Sequence, residues 1–143
     1  TIPLANWGSI NYRISGAHFI NKPSLILDYQ HFRGNEINVS SGDNRFLALP
    51  YYALSNPGGH FKAFLQWEPR KFVLTQNAFL SMYGLKEKVG YAYLQTSVNF
   101  QVVNYQELSY GITGIGKILG VDFVYPMGSI VPEKWKILVR LPF

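Results

Sequence analysis

Polar and apolar residues alternate along much of this chain, and the alternation constrains its fold more than any other feature. In His60–Glu68, Phe61, Leu65 and Trp67 occupy one set of alternate positions, and most of the intervening residues are polar. Successive side chains of a β-strand point to opposite faces of a sheet, so the pattern predicts strands with one apolar and one polar face. The segments predicted as strands are Trp7–Phe19, Leu25–Gln30, Arg45–Ser55, His60–Glu68, Val89–Phe100, Tyr105–Thr113, Ile118–Tyr125 and Lys134–Phe143.

One stretch between two predicted strands has a different period. In residues 75–88, the apolar residues Ala78, Phe79, Met82 and Leu85 are spaced by one, three and three positions, which suits a helix, and Gly84 lies near the end of the pattern. We therefore predict one short helix near 75–85. The other connections are mostly short and rich in turn-forming residues, which favours antiparallel pairing of consecutive strands.

The final predicted strand is strongly two-faced. One face carries Lys134, Lys136 and Arg140. The other face consists of Trp135, Ile137, Val139, Leu141 and Phe143. The apolar face would be the core of a soluble sheet but would meet lipid in a membrane barrel, so alternation alone does not separate these folds. The C-terminal aromatic residue resembles the assembly signal of outer-membrane barrels, and we predict that the apolar set forms that signal.

Composition bears on the choice between a soluble sheet and a membrane barrel. Aromatic residues make up 16% of the chain, and Tyr and Trp suit a surface that is apolar in the middle and wet at its edges. The absence of cysteine excludes a disulfide scaffold and thiolate sites. The net charge of +5 is scattered, so no nucleic-acid partner is predicted. The chain begins at Thr1 without a signal-peptide pattern, from which we expect a removed leader or a piece of a longer protein.

These features predict an all-β fold, an antiparallel transmembrane β-barrel with about eight strands in this chain. No apolar run is long enough for a transmembrane helix, whereas a barrel strand needs only about 9–11 residues. Eight strands closed alone would leave little interior space, so this chain is expected to be part of a larger barrel. Residues 1–143 would form a single β-barrel domain or the C-terminal portion of one.

Several motifs support a family resemblance. They are Pro3–Gly8, Asp28–Asn35, Ala48–Tyr52 and Tyr105–Ile112. The chain resembles the C-terminal barrel region of a family of Bacteroidetes outer-membrane proteins. Members carry an N-terminal carboxypeptidase-regulatory-like domain ahead of a barrel of unknown function. The resemblance implies an outer-membrane location, but it implies no known reaction or ligand.

The resemblance also implies an orientation, because the C-terminus of such a barrel is periplasmic. The connections expected on the periplasmic side are Gly34–Asn44, Arg70–Lys88 and Gly114–Lys117. Those expected to face outward are Asn21–Pro23, Asn56–Gly59, Gln101–Asn104 and Gly128–Glu133.

The sequence offers little catalytic chemistry. His18, His31 and His60 lack the spacing of a metal site. Asp28 and His31 are three residues apart and would face opposite sides of a strand, which argues against a dyad. We therefore predict no catalytic residues, no metal and no cofactor. The charged residues of the polar faces are instead predicted to form a network in a barrel lumen: Arg13, Asp28, Lys62, Glu68, Glu107, Asp122, Lys136 and Arg140.

The expected function is that of a non-enzymatic protein of the bacterial outer membrane, with a structural, transport or partner-binding role. Its expected partners are outer-membrane lipid, the barrel-insertion machinery and other outer-membrane proteins. Two alternatives remain open from the sequence. One is a soluble, secreted β-sandwich that binds carbohydrate, and the other is a small outer-membrane barrel enzyme that acts on lipid or peptide.

Overall fold

A computed structural model of the chain describes residues 1–18, 39–40, 46–50, 54, 59–98, 101–116, 118–128 and 134–140. Its strands are β1 (Ile2–Pro3), β2 (Ser9–Ala17), β3 (Val39–Ser40), β4 (His60–Glu68), β5 (Lys86–Val98), β6 (Gln101–Ile115), β7 (Leu119–Gly128) and β8 (Lys136–Arg140). A 3₁₀ turn covers Ala5–Trp7, and one short helix, α1, covers Ala78–Met82. No helix among the described residues has the length and apolar character needed to cross a membrane.

All eight strands belong to one sheet with the order β1-β2-β4-β5-β6-β7-β8-β3. Seven of them pair antiparallel, and the two-residue β3 joins the edge of β8 in parallel. The predicted all-β antiparallel architecture is therefore confirmed. Over the described residues the sheet is open, with β1 at one edge and β3 at the other, and it does not close into a barrel.

The longest strands, β5 and β6, form the centre of the sheet, and they are rich in the aromatic and β-branched residues that suit a pleated surface. Strand β5 begins before the predicted Val89–Phe100 and reaches Val98, and β6 extends beyond the predicted Tyr105–Thr113 at both ends. The predicted connection Gln101–Asn104 is wrong, because these residues already pair with β5. At the other end of β6, Gly114 has a φ of 87°, and a Cβ there would lie 2.4 Å from the carbonyl oxygen of Gly84. Glycine lets the two connections approach closely.

The predicted helix is confirmed in place but is shorter than the pattern in 75–88 suggested. It begins after Asn77, whose side-chain oxygen accepts the N–H of Phe79 (2.9 Å). It ends before Gly84, which has a φ of 73°. Pairing with β6 takes over at Lys86, because a strand satisfies the backbone groups of this segment along its whole length.

The predicted strand Arg45–Ser55 is wrong where the structure describes it. Residues 47–49 form bends, and residues 46–50 do not join the sheet. The consecutive residues Ala48 and Leu49 are both buried, which a strand with one solvated face would not allow. The predicted strand Leu25–Gln30 and residues 141–143 lie outside the described residues.

The sheet has two faces with different surroundings. We call inner the face against which the segment Phe46–Pro50 packs, and outer the opposite face. Phe46 contacts Phe64 of β4 (4.9 Å between ring centroids) and Tyr105 of β6 (5.7 Å) on the inner face. A second cluster joins Ala48 to Val124 and Leu138. The packed core therefore lies between the sheet and a connecting segment rather than between two sheets.

Candidate functional site

The outer face of the sheet is apolar and largely uncovered. Large apolar side chains project from every long strand on this face and are exposed: Tyr12, Ile14, Phe61, Leu65, Tyr91, Leu108, Leu119, Ile137 and Val139. By alternation and register, Glu87 is the one charged side chain of this face in the described strands β2 and β4 to β8. An uncovered apolar surface of this extent is unusual for a protein surrounded by water.

Several aromatic side chains of the outer face carry a hydrogen-bonded polar group. The indole N–H of Trp67, near the connection that follows β4, donates to the carbonyl oxygen of Trp7 (3.0 Å). Further along the strands the hydroxyls of Tyr91 and Tyr93 donate to side-chain oxygens of β6 (2.9 and 3.2 Å). Each ring thus combines an apolar body with a bonded polar group.

The inner face carries the charges. By alternation and register, the charged residues that face this side from the described strands are Arg13, Lys62, Glu68, Lys86, Lys88, Glu107, Asp122, Lys136 and Arg140. Two of the acids, Glu107 and Asp122, are almost fully buried. Buried charges are costly unless they are paired or hydrogen-bonded, so the contacts of these two carboxylates determine the inner architecture.

Glu107 holds the segment Phe46–Pro50 against the sheet. Its carboxylate accepts the backbone N–H groups of Leu47 (2.6 Å) and Ala48 (3.0 Å). It also accepts the hydroxyl of Tyr105 (2.8 Å). The ammonium group of Lys136 donates to the carbonyl oxygen of Ala48 (2.7 Å). Side chains of the sheet therefore satisfy backbone groups that would pair with a neighbouring strand in an ordinary sheet.

Asp122 forms the centre of a second charged cluster. Its Oδ2 accepts bonds from Nε (2.9 Å) and Nη2 (2.6 Å) of Arg140. Gly111 lies between Lys88 and Asp122 in register. A Cβ on Gly111 would lie 2.3 Å from Asp122 Oδ1 and 3.0 Å from carbons of Lys88. The missing side chain makes room for acid and base side chains on the two neighbouring strands.

A cavity of about 420 Å³ opens on the inner face beside these clusters. Its polar lining includes Asn11, Arg13, Gln66, Lys88, Ser109 and Arg140. The lining combines cationic groups with amide and hydroxyl groups, so it suits water and small polar or anionic solutes.

A third carboxylate, Glu87, holds a segment on the opposite face. Its oxygens accept the backbone N–H groups of Leu74 (3.1 Å) and Thr75 (2.8 Å) and the hydroxyl of Thr75 (2.6 Å). The hydroxyl of Tyr110 also donates to this carboxylate. Phe72 of the same connection packs edge-on against Trp67 (5.3 Å). The connection between β4 and β5 is thus fastened to one end of the outer face.

Most residues of the predicted charge network lie on the inner face. Arg13, Lys62 and Glu68 lie on the inner face with the buried acids, and Asp122 and Arg140 form a salt bridge. Glu68 lies at the exposed end of β4 and accepts Nε2 of Gln66 (2.7 Å). Asp28 lies outside the described residues.

The predicted assembly signal is described only in part. Trp135, Ile137 and Val139 are exposed, and Ile137 and Val139 lie on the outer face of β8. Leu141 and Phe143 lie outside the described residues. Among the residues that the structure describes, no group of three or more histidine or acidic side chains could hold a metal ion.

Sequence reasoning missed Glu87, Tyr105 and Tyr110. Glu87 was included in the predicted helical stretch, although it pairs with Ile112 and continues the apolar-face positions Val89 and Tyr91 of β5. One signal was present in the sequence: an acid at an apolar-face position of a strand requires a local partner.

A comparison with family models places residues 1–112 in the Family of unknown function (DUF5686) C-terminal domain. The chain belongs to this family. The match runs from β1 into β6, and β7 and β8 lie beyond it. A search of curated proteins and a search of solved structures each gave no match. The family has no described function, so any function must be argued from the two faces of the sheet.

Proposed function

We propose that this DUF5686-family chain is part of a β-barrel of the bacterial outer membrane, with its outer face against lipid and its inner face lining the barrel interior. The observation that carries the proposal is the distribution of charge. Charged side chains are concentrated on the inner face, whereas the exposed outer face carries exposed Leu, Ile, Val, Phe and Tyr.

The physical argument concerns the solvent on each side. A charged side chain facing lipid at the bilayer midplane costs about 2–4 kcal/mol in a barrel strand, so lipid-facing positions exclude charge. Water solvates charged side chains, so a soluble sheet exposes its charged face and buries its apolar face in the core. Here the covered face is the polar one. This inversion supports lipid as the surroundings of the outer face.

Strand length supports the same proposal. A strand that crosses a membrane needs about 9–11 residues. Strands β2 and β4 have 9 residues each, β5 has 13, β6 has 15 and β7 has 10. A membrane sheet must close so that no edge meets lipid, so the open edges at β1 and β3 are proposed to pair with further strands.

We propose a structural or partner-binding role within an outer-membrane assembly, and not catalysis. The inner face is occupied by the segment Phe46–Pro50, and its buried acids bind backbone and basic groups of the protein itself. A cavity of about 420 Å³ and a second one of about 640 Å³ share the polar lining residues Gln66, Lys88 and Arg140, so we expect any cargo to be a polar or anionic solute. We also propose that the protein has a Bacteroidetes origin and carries an N-terminal carboxypeptidase-regulatory-like domain ahead of the barrel.

The chain contains no cysteine, so single introduced thiols give a direct test. Leu108 is 44% exposed on the outer face, and its neighbour Ser109 faces the inner cavity. The variants Leu108→Cys and Ser109→Cys would be labelled with an environment-sensitive fluorophore in phosphatidylcholine vesicles. We expect doxyl-lipid to quench the label at position 108 and not the label at position 109.

Two results would overturn the proposal. The first is quenching of position 108 by aqueous iodide but not by doxyl-lipid. The second is a monomeric chain in detergent-free buffer, which would favour a soluble sheet such as the carbohydrate-binding sandwich.

A further inference from the structure

The connection between β4 and β5, residues 69–85, exposes apolar side chains although it is firmly attached to the sheet. Glu87 accepts two of its backbone N–H groups, and Phe72 packs between Trp67 (5.3 Å) and Tyr110 (6.4 Å). The attachment is on the outer face. The connection therefore lies at one end of the sheet, where Pro69, Arg70, Thr75 and Leu85 also border a cavity of about 640 Å³ together with the inner-face residues Lys88 and Arg140.

The exposed side of this connection is formed by α1. Phe79, Met82 and Tyr83 have the spacing i, i+3 and i+4, which places them on one side of a helical turn. They are 63%, 85% and 61% exposed, respectively. Phe79 and Tyr83 pack edge to face (5.0 Å), so the exposed side is ordered by its own contact. The N-cap at Asn77 and the turn at Gly84 fix the short helix at both ends.

The charge of the connection indicates what kind of surface it binds. Residues 69–85 contain the basic residues Arg70 and Lys71 and no acidic residue. Both basic residues are exposed. A connection that exposes both apolar and basic side chains and contains no acid has the composition that binds the headgroup layer of an anionic membrane.

We propose that the 69–85 connection is an interfacial anchor, in which Phe79, Met82 and Tyr83 enter the headgroup layer of an anionic phospholipid membrane beside the barrel. This inference rests on the proposed function, because the anchor is continuous with the outer face. The anchor specifies anionic phospholipid as the lipid that is bound and α1 as the surface that contacts it. The anchor would set the depth of the barrel by joining its wall to one membrane interface.

The test uses single cysteines in the full chain, reconstituted in vesicles of phosphatidylethanolamine and phosphatidylglycerol. Met82→Cys reports the proposed lipid side of α1. Ser81→Cys is the matched control, because Ser81 is exposed on the same helix but points away from Phe79. Leu108→Cys reports the barrel wall. Each label is challenged with lipid bearing a shallow doxyl group, lipid bearing a deep doxyl group, and aqueous iodide.

We expect shallow doxyl-lipid to quench position 82 more than deep doxyl-lipid does, whereas iodide quenches position 81. Replacement of phosphatidylglycerol by phosphatidylcholine should reduce the quenching at position 82, as should the double variant Arg70→Gln/Lys71→Gln. Position 108 should be unaffected by both changes.

The outcomes separate the two proposals. Water-like behaviour at position 82 with lipid quenching at position 108 overturns the anchor and leaves the barrel standing. Protection of position 82 from both iodide and lipid also overturns the anchor, because it indicates a protein partner on this surface. Water-like behaviour at position 108 overturns the barrel itself.

Discussion

Glu107 on the inner face and Glu87 on the outer face have closely matched surroundings. Glu107 is 2% exposed and Glu87 is 1% exposed. Each accepts backbone N–H groups from two consecutive residues of a connecting segment and the hydroxyl of a tyrosine on β6. The sheet therefore uses the same type of contact on both faces to fasten a segment that is not a strand.

The two fastened segments differ in what they do with their apolar side chains. The inner segment buries Phe46, Ala48 and Leu49 against the sheet. The outer segment packs the half-buried Phe72 against Trp67 and leaves Phe79 and Met82 exposed. Similar carboxylate contacts thus produce a core on one side and an exposed apolar surface on the other. The membrane proposal assigns this difference to the surroundings of the two faces.

The largest effect is expected from truncating matched phenylalanines in the two segments. Phe46→Ala removes a buried ring and should lower the free energy of unfolding by about 3–5 kcal/mol. Phe79→Ala truncates an exposed ring and should change it by less than about 0.5 kcal/mol in detergent. Urea unfolding in micelles, followed by tryptophan fluorescence, measures both. Equal effects of the two variants would contradict the distinction between core and surface.

A smaller effect is expected from removing the inner carboxylate. Glu107→Ala leaves two backbone N–H groups and a buried hydroxyl without their acceptor, which should cost about 2–4 kcal/mol of the unfolding free energy. The control is Glu68→Ala, at an exposed site, for which we expect a change within about 0.5 kcal/mol. Unfolding of Glu107→Ala at the wild-type urea concentration would show that Glu107 does not hold the inner segment.

The smallest effect is expected from removing the outer carboxylate. Glu87→Ala should release the 69–85 connection at a cost of about 1–2 kcal/mol, because it frees one connection at the end of the sheet and leaves the core formed by Phe46–Pro50 in place. Hydrogen exchange should become faster at Leu74 and Thr75, while exchange at the centre of β6 stays unchanged. Faster exchange throughout the sheet would mean that Glu87 supports the whole fold rather than one segment.

Most strands could be predicted from alternation, because the alternation directly reflects two faces in different surroundings. His60–Glu68 was predicted with the bounds that the structure has. The run Arg45–Ser55 was misassigned because an apolar run that is buried on all sides resembles a strand in composition. The partner that satisfies its backbone is Glu107, which lies 60 residues from Leu47 along the chain. No local pattern carries that information.

The sequence by itself determined that this chain forms an antiparallel sheet with one apolar and one charged face. Period-2 alternation is a local property, and it is sufficient for that conclusion. Only the tertiary structure decided which face is covered. The segment Phe46–Pro50 lies over the charged face because Glu107 and Lys136 satisfy its backbone groups there. The apolar face is left exposed except at the end where Glu87 fastens the 69–85 connection. These contacts depend on residues that are distant in sequence or hidden within a helical pattern, so the arrangement of the faces arises only when the strands pair.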